Sequence, residues 1–466
     1  MTPSRLAVDR SVVWTSDDEF VVRGTDFVVV EFGLRRKPRL GRSASNRLAI
    51  YKSREQVEAY VDLVTAHHPS RIVELGIKAG GSAALLAQLV QPSKLVAVDI
   101  TPEAVTNLES FLDAHRLRDR VRPHYGVDQA DRGRLASIVA QEFEGEPIDL
   151  VIDDASHLLE PTRASFEVLF PRLRTGGLFV IEDWAWEHAI ANKLFVALGS
   201  ESATSHVGKR ELLQAFEAMG MSPQMLAPLR SGEFLSDLVS EIIARKADGD
   251  GTIGDVAIRP FGAEIRRGPS ATSENGLAVA LRGVTPSRML HLGPLDARTA
   301  REVSRTGVAQ IVVLSEDSDR ERGTRLPEVT HHHLDPSSAP PSEIARDLGA
   351  TPFDVVIDAA SADAKRVGEL VSVLLPLVPP GRAYLLRGWP RMIAPRSTTG
   401  DDRPRRRMPR VLLELVLAVA EWNGAIEDIL LDNEWLTIRR GGAELSTEDF
   451  DVSHLYGDHL GSLSRA

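Results

Sequence analysis

The chain contains itself. Residues 71–90 read RIVELGIKAGGSAALLAQLV and are followed by KLVAVDI, PIDLVIDDASH, GGLFVIEDW and AEIRRG. Residues 288–307 read RMLHLGPLDARTAREVSRTG and are followed, in the same order, by QIVVLSED, PFDVVIDAASA, GRAYLLRGW and LTIRRG. Trp184 lies 37 positions after Pro147, and Trp389 lies 37 positions after Pro352. Five blocks in one order at such spacing mean two copies of one folding unit.

Each copy alternates short apolar runs with longer helix-like stretches. VAVDI and LFVIED suit strands buried on both faces, and SREQVEAYVDLVTA suits a helix opened by a capping box of Ser53 and Gln56. Strand and helix in alternation predict an α/β protein of two tandem Rossmann-like, doubly wound parallel sheets. The expected organisation is an N-terminal extension over 1–49, a first domain over 50–268, a linker over 269–278, a second domain over 279–441 and a polar tail over 442–466. Glu19–Val30 reads as a β-hairpin turning at Gly24-Thr25, serving as an extension or a dimer contact. The first copy carries extra residues near 186–235, past the end of a strand, and these suit either a lid or a surface insertion.

Composition removes several classes of function. The 466 residues contain no cysteine, so disulfides, thiolate metal sites and cysteine nucleophiles are excluded. A net charge of −11 argues against nucleic acid or an anionic membrane as partner. No run of about 18 uncharged apolar residues occurs, and the first residues lack an apolar signal core, so a cytoplasmic chain is expected.

In the first copy, Glu74-Leu75-Gly76-Ile77-Lys78-Ala79-Gly80-Gly81-Ser82 lies between an apolar strand and a helix. Glycines there admit close backbone approach, and the helix start offers amides to a ligand. Asp99 ends the next strand, where a carboxylate can accept ribose hydroxyls. Lys78 breaks the dinucleotide fingerprint, which disfavours NAD. Acid, glycine turn and a second acid together resemble class I S-adenosylmethionine-dependent methyltransferases. The resemblance implies that Glu74, Gly76, Gly80, Gly81 and Ser82 hold the methionine part, that Asp99 holds the ribose, and that Asp128 or Gln129 lies beside adenine.

Asp153-Asp154-Ala155-Ser156-His157 ends one buried strand, and Glu182-Asp183 ends the next. Neighbouring parallel strands lie about 4.8 Å apart, so these carboxylates gather at one sheet edge, repel, and favour protons or a cation. A hard divalent ion such as Mg²⁺ suits oxygen ligands; beside a methyl donor it would lower the pKa of a substrate hydroxyl. His157 is placed to take the proton. IDDASH followed by IEDW resembles the metal-dependent macrolide sugar O-methyltransferases of macrocin and mycinamicin type, whose relatives include cephalosporin hydroxylase-like proteins. Their Asp-Gly-Ser-His pattern is met here with Ala155 in place of glycine. Carried over by position, the resemblance makes Asp154, Glu182 and Asp183 the Mg²⁺ ligands and His157 the general base. It covers about 70–268 and says nothing of the N-terminal residues, where Tyr51 and Lys52, just before the first helix, read either as reaching the cofactor site or, in preference, as ordinary surface positions.

The second copy serves as a control. Asp154, His157, Glu182 and Asp183 align with Ala359, Ala362, Arg387 and Gly388, whereas Asp153 and Trp184 keep counterparts in Asp358 and Trp389. Glu74, Gly80 and Gly81 align with His291, Ala297 and Arg298, while Glu316 falls at or beside the position of Asp99. The second half is therefore expected to be a degenerate methyltransferase-like domain that packs on the first as a pseudo-dimer, with a homo-oligomer also allowed. The basic run RPRRRMPR at 403–410 reads as a solvated loop, and His331-His332-His333 as a surface strand whose alternating side chains cannot chelate together. The expected activity is methyl transfer from S-adenosylmethionine to a hydroxyl of a small molecule, a sugar of a glycosylated natural product or polysaccharide. The alternative is a non-catalytic S-adenosylmethionine-binding scaffold or sensor.

Overall fold

A computed structural model describes residues 12–30, 47–189, 223–269, 286–316, 328–361, 363–393, 407–420, 424–446 and 450–452, with a few isolated positions between. Two compact units divide the chain, Met1–Asp183 and Trp184–Ala466.

The first unit opens with a four-stranded sheet in the order β1 (Val13–Trp14), β2 (Glu19–Val22), β3 (Thr25–Val29) and β4 (Arg47–Ile50). The expected hairpin is present, turning at Arg23 and Gly24, both with positive φ. Phe20 and Phe27 stack at 4.9 Å across it. β4 returns parallel to β3 and leads through Tyr51 and Lys52 into α1 (Arg54–His67), where Ser53 and Gln56 form the predicted capping box.

The main sheet of this unit is parallel, built from β5 (Arg71–Leu75), β6 (Lys94–Val98), β7 (Val121–His124), β8 (Ile148–Asp153) and β9 (Leu173–Glu182) in the order β7-β6-β5-β8-β9. The chain moves outward from β5 to β7, then crosses back to β8. Right-handed crossovers therefore put α2 (Gly81–Val90) and α3 (Thr106–Ala114) on one face, and α4 (Arg132–Phe143) and α5 (Leu159–Leu169) on the other. The reversal between β5 and β8 opens a crevice at their C-terminal ends, the usual ligand position in such sheets. Every residue of α2 is buried, as suits a helix apolar on all sides. It packs against β6 on one side and β4 on another, so the N-terminal sheet covers the surface that would otherwise face water.

The second unit has a nine-stranded sheet. Its strands are β10 (Ile253–Arg259), β11 (Gly262–Arg267), β12 (Arg288–Leu292), β13 (Gln310–Leu314), β14 (Glu328–His332), β15 (Val355–Asp358), β16 (Ala383–Arg387), β17 (Ile426–Leu431) and β18 (Trp435–Arg440). The order is β14-β13-β12-β15-β16-β18-β17-β10-β11. Its first five strands are parallel, with the connectivity already seen in β7-β6-β5-β8-β9. β10 pairs antiparallel with β17, Ala257 opposite Leu430. That pairing explains why the compact units divide at Asp183 rather than at the predicted linker: β10 and β11, from the first sequence copy, are hydrogen-bonded into the second unit's sheet. The repeated tryptophans keep one role. Trp184 Nε1 donates to the carbonyl of Arg259 at the end of β10, and Trp389 Nε1 to that of Asp432 just past β17.

One surface expectation fails. Residues 403–406 lie outside the described residues, but Arg407 is buried against Asp248 and Met408 is also buried, so this end of the basic run is not a solvated loop. His331–His333 lie at the end of the edge strand as expected, with His332 paired to Asp347. Ala362, most of the 269–278 linker, much of the 186–235 insertion and most of the tail lie outside the described residues. Among the described residues, no helix is long and apolar enough to cross a membrane.

Candidate active site

Register aligns the strand ends that carry the chemistry: Leu75 pairs with Val98 on one side and Asp153 on the other, and Asp153 pairs with Ile181. Glu74 therefore stands one residue inside the edge, wholly buried, and neither carboxylate oxygen has a hydrogen-bond partner. Burial pushes this carboxyl up to about 7, against weaker opposing effects of the Ser82 hydroxyl and Lys52. A buried acid without a partner costs free energy unless a cationic ligand answers it.

Such an acid has a measurable consequence. A carboxyl that holds its proton more tightly folded than unfolded stabilises the fold where it is protonated, and that stability is lost as pH rises from about 4.5 to about 7. Stability of the donor-free protein is expected to fall between pH 5 and 8. Glu74→Gln flattens the fall by up to about 3 kcal/mol, read from denaturant curves across that range. Asp153, raised to about 6 chiefly by burial, and Glu182 leave a residual slope of the same sign.

The glycine turn is closed by protein atoms. Gly76 has φ +99°, and a Cβ there would lie 2.2 Å from the Asp154 carbonyl oxygen. At Gly80 the Cβ would meet Leu108, and at Gly81 it would lie 2.2 Å from the Ala49 oxygen. These glycines admit neighbouring chain, not only a ligand. Ser82 lies in the first turn of α2 and is largely buried. Asp99 ties the turn together: Oδ2 accepts from the amides of Ile77 and Lys78, and Oδ1 from that of Thr101. Burial would raise this carboxyl, but the amides of Lys78, Thr101 and Ile77 outweigh it and hold it below its ordinary value. The Thr101 hydroxyl is a further partner of this carboxyl.

Asp128 is exposed and caps its own loop through the Ala130 amide. Gln129 is buried and its amide is fully engaged. It donates to both oxygens of Asp153 and accepts from the Ser156 amide, which fixes the loop carrying His157. Asp153 also accepts from Ser165 and is structural.

Asp154 Oδ1, His157 Nε2 and Asp183 Oδ2 come together. The imidazole nitrogen stands 3.7 Å from Asp154 and 3.9 Å from Asp183, and the three ligand atoms lie within 4.8 Å of one another. All three are accessible. His157 and Asp183 both adopt left-handed φ, +54° and +48°, and Lys78 across the turn does the same. Non-glycine residues pay roughly 1–2 kcal/mol for that conformation, which concentrates at sites where geometry serves function. Two oxygens and a nitrogen of this kind can hold a divalent cation.

Glu182 departs from the expected ligand set. It turns inward, 3% exposed, where Oε2 accepts from Lys52 Nζ at 2.6 Å and Oε1 from the Tyr60 hydroxyl. The same ammonium donates to Asp154 Oδ2 at 2.9 Å. Asp154 and Glu182 thus do converge on one cation, and it is Lys52. Lys52 is 3% exposed, which corrects its reading as a surface residue, and it lies 4.8 Å over the Tyr60 ring. Tyr60 had one sequence signal, its place with Val57 and Val64 on the apolar face of α1. For Lys52 the signal was its place just before α1, within reach of the cofactor site, a reading the sequence ranked below a surface role. Tyr51 is exposed, with the Lys78 ammonium over its ring.

The second unit's strand ends differ in chemistry. Arg387 reaches Asp296 at 2.7 Å and Glu434 at 2.8 Å, beside a cavity of about 370 Å³ lined also by Ala359, Ser361, Gly388 and Arg391. His291 is buried with Nδ1 against the Gly293 carbonyl, and burial pushes it down to about 4, so it is neutral at physiological pH. Leu292 pairs with Leu314, which puts Ser315 at the first position past β13, where Asp99 follows β6; Glu316 is one further on and exposed.

Comparison with known proteins adds to this geometry. Residues 73–184 match the family model described as a methyltransferase domain. The chain is 34% identical over 125 residues to the 8-demethyl-8-(2-methoxy-alpha-L-rhamnosyl)-tetracenomycin-C 3'-O-methyltransferase of Streptomyces olivaceus, covering 25% of this chain and 28% of that protein. It is 34% identical over 120 residues to the demethylmacrocin O-methyltransferase of Streptomyces fradiae, covering 24% and 27%. The matches thus span little more than a quarter of those relatives' length. Among solved structures, the MycE methyltransferase of the mycinamycin pathway, in complex with Mg, SAH and mycinamycin VI, is 24% identical over 47% of this chain and 50% of its own, with a TM-score of 0.30.

Proposed function

We propose that the chain is an S-adenosylmethionine-dependent O-methyltransferase acting on a hydroxylated small molecule, a sugar of a glycosylated natural product or polysaccharide, with a divalent cation, Mg²⁺, at the acidic cluster. The observation that carries this reading is the pairing, on adjacent strand ends, of an unpartnered buried carboxylate at Glu74 with the accessible Asp154–His157–Asp183 cluster. The sugar O-methyltransferases matched in sequence support the reaction type.

Bound, the donor supplies a methyl group on a cationic sulfur and the metal ion lowers the acceptor hydroxyl's pKa. Glu74 accepts hydrogen bonds from the donor's ammonium, which relieves its two orphaned oxygens. Asp99, at the end of the next strand, would accept from a ribose hydroxyl. Asp154 and Asp183 hold the cation. His157 Nε2 would take the proton that the acceptor hydroxyl gives up as its oxygen bonds to the methyl carbon, and the donor would leave as the neutral sulfide.

Residues 279–441 are read as a degenerate copy with a structural role. The repeated strand order, the shared tryptophan contact and the β10–β17 pairing support this, as does the ion-paired Arg387 at the position of Glu182.

Radiolabelled methyl transfer from S-adenosylmethionine to a panel of glycosylated acceptors, with Mg²⁺, tests the activity. Donor binding by calorimetry separates this reading from the scaffold alternative, in which binding persists without transfer to any acceptor. Asp99→Asn is expected to weaken donor binding about 10- to 100-fold, the value of a hydrogen bond to a charged group. Unchanged affinity would remove Asp99 from the pocket.

A further inference from the structure

We infer that Lys52 is a tethered counter-cation that orients Asp154, and that Glu182 anchors Lys52 instead of ligating metal. The inference rests on the proposed metal-assisted reading of the same site and alters its ligand set.

The two oxygens of Asp154 face different neighbours. Oδ2 accepts from Lys52 Nζ at 2.9 Å, while Oδ1 faces His157 Nε2 at 3.7 Å, in the cluster with Asp183. Rotation of the carboxylate is therefore fixed from its buried side, which leaves Oδ1 directed at the accessible cluster. Lys52 is fixed in turn by Glu182 Oε2 at 2.6 Å and by the Tyr60 ring. Glu182 has its other oxygen on the Tyr60 hydroxyl, so both of its oxygens are engaged. A divalent ion bridging Asp154 and Glu182 would have to displace a buried ammonium. One bound through Asp154 Oδ1 and Asp183 would not.

The N-terminal sheet gains a role from this arrangement. β4 delivers Lys52 two residues past its end, and Gly81 lets the backbone at Ala49 pack against the start of α2. That contact sets how far Lys52 penetrates. A bulkier residue at 81 would push β4 outward and withdraw the ammonium.

Binding of Mn²⁺ to the full chain, followed by electron paramagnetic resonance and calorimetry without donor or acceptor, tests the assignment. Glu182→Gln is expected to keep the Mn²⁺ Kd within about threefold of wild type, whereas Asp183→Asn raises it at least tenfold. Lys52→Met is expected to tighten Mn²⁺ at least tenfold, because the vacated Asp154–Glu182 pair then attracts an ion; Lys52→Arg, which keeps a cation, restores the wild-type value. If Lys52→Met does not fold, the Glu182→Gln and Asp183→Asn pair decides alone. Loss of Mn²⁺ binding in Glu182→Gln as complete as in Asp183→Asn overturns the inference, as does a wild-type chain that binds no Mn²⁺. Failure of methyl transfer with the Mn²⁺ pattern intact overturns the proposed function and leaves the role of Lys52 standing.

Discussion

Asp154→Ala is expected to lower methyl transfer by about three orders of magnitude or more, the scale lost when a group stabilising developing charge is removed. Asp154 joins both halves of the site, with Lys52 on Oδ2 and the His157 cluster toward Oδ1. Its loss releases the ammonium and opens the metal cluster together. Donor affinity is expected to stay within a few fold, because the Glu74 and Asp99 contacts lie on β5 and just past β6 and remain intact. Paired measurements of turnover and donor Kd give the answer. An Asp154→Ala protein that turns over normally, with EDTA present, would sink the metal-assisted mechanism.

Lys52→Met carries the second large effect, on stability. Removing one member of a buried charge pair leaves its partner desolvated and typically costs about 3–5 kcal/mol. Here the stranded group is Glu182, whose carboxyl is already raised by burial and by the charge of Asp154, with Lys52 and Tyr60 opposing. Without the ammonium it must take up a proton or face the Tyr60 hydroxyl alone. The deficit is expected to be larger at pH 8 than at pH 5, where protonation is cheap. The double variant Lys52→Met/Glu182→Gln is expected to recover much of the loss. Urea denaturation of both singles and the double closes the cycle; strictly additive losses would show that the pair is not coupled.

Much of the framework was legible in the chain. The doubled motif order implied two sheets of like topology, and both units have parallel strands in that connectivity. Asp154 and His157 could be grouped because only two residues of loop, Ala155 and Ser156, separate them, and Asp183 because it follows the end of the adjacent strand. Glu182 pairs with Lys52 and Tyr60 instead of lying with Asp154, His157 and Asp183, for a reason that spacing does not carry. Glu182 is the last residue of β9 and Asp183 the first past it, and their side chains take opposite sides: Asp183 is exposed while Glu182 is buried. Gln129 spends its amide on Asp153 and Ser156, contacts that short spacing likewise does not record.

The sequence alone determined the repeated α/β architecture, the glycine turn, and the strand ends that carry acids, because each is written in local periodicity and short spacing. The tertiary structure decided which charges meet. Lys52 lies 102 residues from Asp154 and 130 from Glu182, and only the packing of the N-terminal sheet against α2 brings them together. Neutralising a buried carboxylate depends on what fills the space beside it, and a one-dimensional pattern records no such neighbour.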